Sequence, residues 1–222
     1  MTDGNRSKGV IFDLDGVLVN TGEFHRRSWY DLAQREGFEM SDELFYSTFG
    51  MQNYQIIPML VGREVTAEEL KRLSEWKESR YRELISGKLK LLDGVRELID
   101  DLKRAGFLLA IGTSTPLVNL KFMLENVPVD GCFDAYVTGE DVQRGKPEPD
   151  TFIMAAEKLS LPRENCVVVE DAVQGVAAGK AAGMAVVAVT TTREREELGE
   201  ADLIVDSLAE LKAEDFEKLL GD

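Results

Sequence analysis

The stretch Val10-Ile11-Phe12-Asp13-Leu14-Asp15-Gly16-Val17-Leu18 constrains this chain more than any other, because an apolar run ends on two carboxylates. Residues 9–12 predict a short strand buried on both faces, of the kind that fills a parallel sheet. If extended geometry continues through Leu14, Asp13 and Asp15 point the same way, since side chains alternate along a strand. Gly16 then frees the backbone for a sharp turn. Two acids held this close repel each other unless a cation or a shared proton compensates. The pair therefore points to a divalent metal and to acid–base work.

Further apolar or β-rich runs recur at 107–111, 135–137, 166–169, 185–189 and 203–205, with helical patterns between most of them. Val95, Leu98, Ile99 and Leu102 form one apolar stripe, closed by Gly106 as a C-terminal cap. Pro149 suits a helix start ahead of Phe152, Ile153, Ala156 and Leu159. This alternation predicts an α/β fold, a Rossmann-like parallel sheet with helices on both faces. Residues 21–87 break the rhythm and read as helical throughout. Thr66-Ala67-Glu68-Glu69 looks like a capping box, and Leu70, Leu73, Trp76 or Lys77, Tyr81 and Leu84 continue one face. The expected organisation is a core of residues 1–20 and 88–222 with a helical cap inserted at 21–87. Asn20-Thr21-Gly22 and Ser86-Gly87-Lys88 would be its hinges.

With 222 residues the chain has room for one large domain, or for a core with a smaller insertion. No stretch reaches the length of a membrane-spanning helix. Residues 1–8 are polar, lack the apolar segment of a secretory signal and read as a loose leader. Cys132 and Cys166 are too few for a disulfide framework and fit a reducing, cytoplasmic setting. Cys166 opens an apolar run and is expected as a buried thiol. A net charge of −15 disfavours nucleic-acid backbones and anionic membranes as partners. An anionic substrate would then need positive potential made locally, by a metal, a lysine or helix N-termini.

In open α/β sheets, ligands collect beyond the carboxyl ends of the strands. Asp13 ends the first run, Thr113 and Ser114 the second, and Glu170 with Asp171 the run at 166–169. Lys146 lies in Gly145-Lys146-Pro147-Glu148-Pro149, shortly after the run at 135–137. Each has an ordinary reading taken alone. Asp15-Gly16 is also turn chemistry, Thr113 a polar loop start, Lys146 a solvated lysine, and Glu170-Asp171 an exposed turn or helix cap. Their convergence on one rim outweighs those readings.

By these motifs the chain resembles the haloacid dehalogenase-like hydrolases, in particular the branch with a small helical cap after the first strand. Asp13 to Leu18 match the first motif, Gly112-Thr113-Ser114-Thr115 the second, Lys146-Pro147 the third and Glu170-Asp171 the fourth. The resemblance implies a phosphatase working through an aspartyl-phosphate on Asp13, with Asp15 as general acid and base. It further implies Mg2+ held by Asp13, the Asp15 backbone carbonyl, Asp171 and Glu170, the last directly or through a water. Lys146, Thr113 and the Ser114 N–H would hold the phosphoryl group.

Within that branch, residues 20–29 resemble both sugar-phosphate phosphatases and β-phosphoglucomutases. His25 sits where the mutases carry a histidine that assists the second acid. Asn53 falls where they carry an arginine that grips the non-transferring phosphate, a bidentate hold that asparagine cannot supply. Lys77 matches a cationic cap position that could reach substrate, or else is a solvated helix lysine. Trp29, Phe49, Met51 and Trp76 could wall the pocket or form the core of the cap. Hydrolysis of a small sugar or polyol phosphate by a monomer is the expected function. A phosphosugar mutase is the alternative, and a catalytically silent phosphometabolite-binding module is the rival from another class. The dehalogenase and phosphonatase branches fit less well, since neither uses an acid at the Asp15 position.

Overall fold

The computed structural model describes residues 7–129 and 131–221, so most of the expected leader lies outside the described residues. The strands are β1 (Gly9–Phe12), β2 (Leu108–Gly112), β3 (Ala135–Val137), β4 (Cys166–Glu170), β5 (Ala185–Val189) and β6 (Leu203–Val205). They form one sheet in the order β3-β2-β1-β4-β5-β6, parallel at every pairing. β2 and β4 each run one residue further than the apolar patterns predict. Gly112 pairs with Val137 and Glu170 with Ala188, so the ladder carries both motif residues to the rim.

The period of two along each strand sorts the side chains into two layers. Val10 and Phe12 join Leu109, Ile111, Val167 and Val169 on one face, while Ile11 joins Ala110 and Val168 on the other. Helices α5 (Val95–Arg104), α6 (Leu117–Asn126) and α9 (Ala213–Leu219) cover the first face. Helices α7 (Asp150–Lys158) and α8 (Val173–Ala181) cover the second. The α5 stripe is buried as expected, and Gly106 closes the helix in the left-handed region at φ +84°. Pro149 is the N-cap of α7.

Between β1 and α5 lie α1 (Gly22–Glu36), α2 (Asp42–Thr48), α3 (Asn53–Val61) and α4 (Ala67–Ile85). They enclose their own apolar cluster, including Trp29, Leu32, Phe45, Ile57 and Leu73. α4 also reaches the core layer with Tyr81 and Ile85. Its buried face is Leu73, Lys77, Glu78, Tyr81 and Ile85, so Ile85 takes the place expected of Leu84. The capping box at Thr66 is only half made. The Thr66 hydroxyl accepts from the Glu69 N–H at 3.2 Å, but the Glu69 carboxylate is taken by Arg63. Among the described residues no helix is long and apolar enough to cross a membrane.

Candidate active site

The carboxyl end of β1 is where the chain order reverses, with β2 on one side and β4 on the other. That switch point is where an open sheet leaves a crevice. Asp13 extends β1 by one residue, its N–H donating to the Val169 carbonyl at 2.9 Å. The chain then turns at Gly16, φ +84°, where a Cβ would stand 1.9 Å from an Asp171 carboxylate oxygen. Both positive φ and close approach require glycine. The turn brings Asp13 and Asp15 into one cleft, which Glu170 and Asp171 also line.

Lys146 holds two of these acids together. Its Nζ donates to Asp13 Oδ1 and to Glu170 Oε1, both at 2.6 Å, and the side chain is buried. The solvated reading of Lys146 therefore fails. The other Glu170 oxygen accepts from the N–H groups of Asp171 and Ala172 at 2.8 and 3.0 Å. Asp171 Oδ2 accepts from the Thr192 hydroxyl at 2.5 Å. Ligand oxygens of Asp13, Glu170 and Asp171 lie within 4.8 Å of one another.

Electrostatics separates the two acids of the first motif. Burial, opposed by Lys146, pushes the Asp13 carboxyl up to about 7. Burial likewise raises Asp171 well above its ordinary value, with Glu170 and Asp13 adding to the effect. For Asp15, burial is outweighed by His25 and by the Thr115 and Thr21 hydroxyls, and the carboxyl falls well below the usual range. Burial would lower the Lys146 ammonium, but the charges of Asp13 and Glu170 raise it above its ordinary value. One lysine thus faces more buried acid than it can neutralise. The shortfall, in a nest of hard oxygen donors, fits a divalent cation such as magnesium.

Asp15 accepts from Thr21 Oγ1 and Thr115 Oγ1, each at 2.5 Å, and lies 3.2 Å from His25 Nε2. The other ring nitrogen of His25 is 2.8 Å from Lys77 Nζ. A lysine ammonium only donates, which makes Nδ1 the acceptor and leaves the Nε2 proton for Asp15. His25 also stacks on Tyr81, with ring centroids 4.0 Å apart. Burial, followed by the Asp15 and Glu78 charges, raises the Tyr81 phenol well above its ordinary value.

Thr113 and Ser114 both line the cleft; the Thr113 hydroxyl accepts from the Thr115 N–H at 3.1 Å, and Ser114 Oγ donates to the Gly50 carbonyl at 2.7 Å. Lys77 is 2% exposed, which overturns its reading as a solvated helix lysine. It lies over the rings of Trp29 and Tyr81 and 3.0 Å from Glu78 Oε1. Asn53 lines the cleft but spends its amide on Glu78 Oε1, at 2.8 Å. Trp29, Phe49 and Met51 wall the cleft. Trp76 does not; it packs on the edge of the α1–α4 cluster beneath the Arg35 guanidinium.

Sequence reasoning gave no site role to Thr21, Glu78, Thr115, Asn119 or Thr192, although Thr115 closes the second motif. Thr115 and Thr192 had a usable signal, since both follow the carboxyl end of a strand, β2 and β5. Thr21 was read only as a hinge, yet it is fully buried. Glu78 and Asn119 sit within helical patterns and carried no local signal.

Fold and site together define an α/β protein with an acidic, lysine-braced centre at the sheet's switch point. A family model for haloacid dehalogenase-like hydrolases matches residues 7–183, and the chain belongs to that family. It is 35% identical over 210 residues to hexitol phosphatase A of Escherichia coli, covering 93% of this chain and 94% of that protein. Among solved structures it resembles a β-phosphoglucomutase from Clostridium difficile, at 27% identity and TM-score 0.87, with 97% of each chain covered. It also resembles a CbbY variant from Rhodobacter sphaeroides in complex with xylulose-1,5-bisphosphate. That match has 28% identity and TM-score 0.82, covering 92% of this chain and 96% of the other.

Proposed function

We propose that this chain is a magnesium-dependent phosphatase that hydrolyses a small phosphorylated metabolite, a sugar or polyol phosphate, acting as a cytoplasmic monomer. The observation that carries the reading is the meeting of Asp13, Lys146, Glu170 and Asp171 beneath one cleft, from three separate parts of the sequence. Hexitol phosphatase A, a relative along nearly the whole chain, supports the substrate class. Two free, buried cysteines support a reducing compartment.

In this mechanism an Asp13 oxygen attacks phosphorus as the bond to the departing oxygen breaks, leaving an aspartyl-phosphate. Asp15 gives its proton to that departing oxygen, then takes one from the water that hydrolyses the intermediate and releases phosphate. Its lowered pKa keeps Asp15 in the ionised form that can accept a proton from water; the acid half requires Asp15 to take up a proton as substrate binds. Lys146 positions Asp13 and faces the incoming phosphate, and Thr113 and the Ser114 N–H donate to phosphoryl oxygens. Magnesium held by Asp13, Asp171, the Asp15 carbonyl and Glu170, directly or through a water, would neutralise charge on the transferring group. Residues 21–87 act as a cap that admits substrate and then excludes bulk water.

The β-phosphoglucomutase likeness favours a second reading, phosphoryl return to the sugar. Asn53 and the Lys77–Glu78 pair weigh against it, because neither leaves a free cation for the second phosphate of a bisphosphate intermediate. A panel of phosphorylated metabolites with Mg2+, scored by phosphate release, tests the proposal. Absence of turnover on every member, and on para-nitrophenyl phosphate, would favour a silent binding module. Glucose 6-phosphate accumulating from β-glucose 1-phosphate and a bisphosphate primer would favour the mutase.

A further inference from the structure

On the α4 side of the cleft stands a buried acid that the hydrolytic chemistry does not use. Glu78 lines the cleft from α4, and its side chain is 7% exposed. Three donors fix it: Asn53 Nδ2 and Lys77 Nζ on Oε1, at 2.8 and 3.0 Å, and Asn119 Nδ2 on Oε2, at 2.5 Å. Asn119 belongs to α6, and its own carbonyl oxygen accepts from Arg82 at 2.6 Å. Swinging Glu78 aside would break all three bonds and strand a buried amide.

We infer that Glu78 is a specificity residue, confining the site to phosphate monoesters whose remainder is uncharged and hydroxyl-bearing and rejecting those with a second anionic group. This rests on the hydrolytic reading above and deepens it. Among the described residues that line the cleft, Lys77 is the one lysine or arginine, and Glu78 already neutralises it. Burial would favour a neutral Glu78, but Lys77 and Asn53 outweigh it and keep the carboxyl below its ordinary range. A second phosphate or a carboxylate entering this side would meet a fixed negative charge and no unpaired cation, an arrangement that rejects by repulsion and desolvation. A hydroxyl fares differently. A carboxylate has about four lone-pair sites and Glu78 uses three, so a substrate hydroxyl can donate to the fourth. Since the similar CbbY structure holds a sugar bisphosphate, the fold itself does not forbid one; the exclusion is local to these side chains.

The test compares wild type with Glu78→Gln on a hexitol 6-phosphate and on the matching 1,6-bisphosphate and phosphorylated sugar acid, measuring kcat/KM with Mg2+. Like-charge juxtaposition is strong enough that wild type should prefer the monophosphate by about 100-fold, and the variant should narrow that ratio about 10-fold or more, mainly through KM for the anionic substrates. A ratio unchanged in a folded variant overturns the inference, as does a wild type that takes the bisphosphate equally well. Should Glu78→Gln fail to fold, Asn53→Arg, which adds a cation beside Glu78, must shift the ratio the same way, and no shift overturns the inference. Calorimetric titration with the same three compounds separates this claim from the hydrolytic one. A shifted binding ratio without phosphate release sinks hydrolysis alone; release with an unshifted ratio sinks the role of Glu78 alone.

Discussion

The two walls of the cleft handle charge in opposite ways. On the sheet side, Asp13, Glu170 and Asp171 crowd round a single lysine, and two of the three carboxyls are pushed upward, by burial first and by neighbouring acids second. On the α4 side, Lys77 and Glu78 cancel, and Asn53 and Asn119 complete the hydrogen bonds. The first wall is unfinished without a cation, which suits the place where charge must be taken up during phosphoryl transfer. The second is finished on its own, which suits a surface that reads a neutral molecule. In the proposed mechanism, a shared cleft would thus separate reaction from recognition by how completely each wall is compensated.

If the sheet wall is the reacting one, Asp13→Asn should cost the most. It keeps the shape and removes the nucleophile, so turnover should fall by about 10⁴-fold or more, with an unchanged circular dichroism spectrum. Near-normal rates would move the chemistry elsewhere.

Asp15→Ala should follow, at about 10²–10⁴-fold in kcat for a sugar phosphate, the range expected for lost acid–base help. The loss should shrink for para-nitrophenyl phosphate, whose leaving group needs no proton. An equal loss on both substrates would remove Asp15 as the acid.

Thr192→Val sharpens the contrast by removing a hydroxyl that bonds to Asp171 at both its Oδ2 and its backbone carbonyl. Loss of its bond to Asp171 should weaken Mg2+ about 10-fold to 100-fold, as supporting partners of ligands generally do, and should raise the Mg2+ concentration for half-maximal activity. Saturating Mg2+ should restore the rate.

The smallest effect is on stability. A carboxyl whose folded pKa is raised binds protons more tightly in the folded chain, so its contribution falls as pH rises. For Asp13 the window runs from 3.8 to about 7, and Asp171 shifts in the same direction. Metal-free protein should therefore lose Tm across that window. Added Mg2+ should raise Tm by more at about pH 7.5 than at about pH 5, because it binds the ionised acids. Equal gains at both values would argue against the unmatched acids as its site.

Much of the sheet wall was legible because its signals are local. Asp13 ends an apolar strand, Glu170-Asp171 ends another, and Lys146 stands in a proline-flanked loop. Strand ends on an open parallel sheet converge by topology, so reading each end was enough. The α4 wall was read poorly for the converse reason. Lys77 on a charged helix could equally have been solvated, and helical periodicity gave no means to choose. Its burial comes from packing against Trp29 and Tyr81 and from a partner, Glu78, tied in turn to another helix. Trp76, only one residue before Lys77, turned to the edge of the cluster instead.

The sequence by itself determined the α/β alternation, the inserted helices, the family and the acids and lysine of the centre, because period, turn glycines and strand-end polarity act within a few residues. Only the tertiary structure decided that Thr21 and Thr115 clasp Asp15, that Thr192 supports Asp171, and that Glu78 cancels Lys77. Those pairings join residues from different elements in low-dielectric surroundings. There, burial and partner geometry set both charge and role, and neither can be read from spacing along the chain.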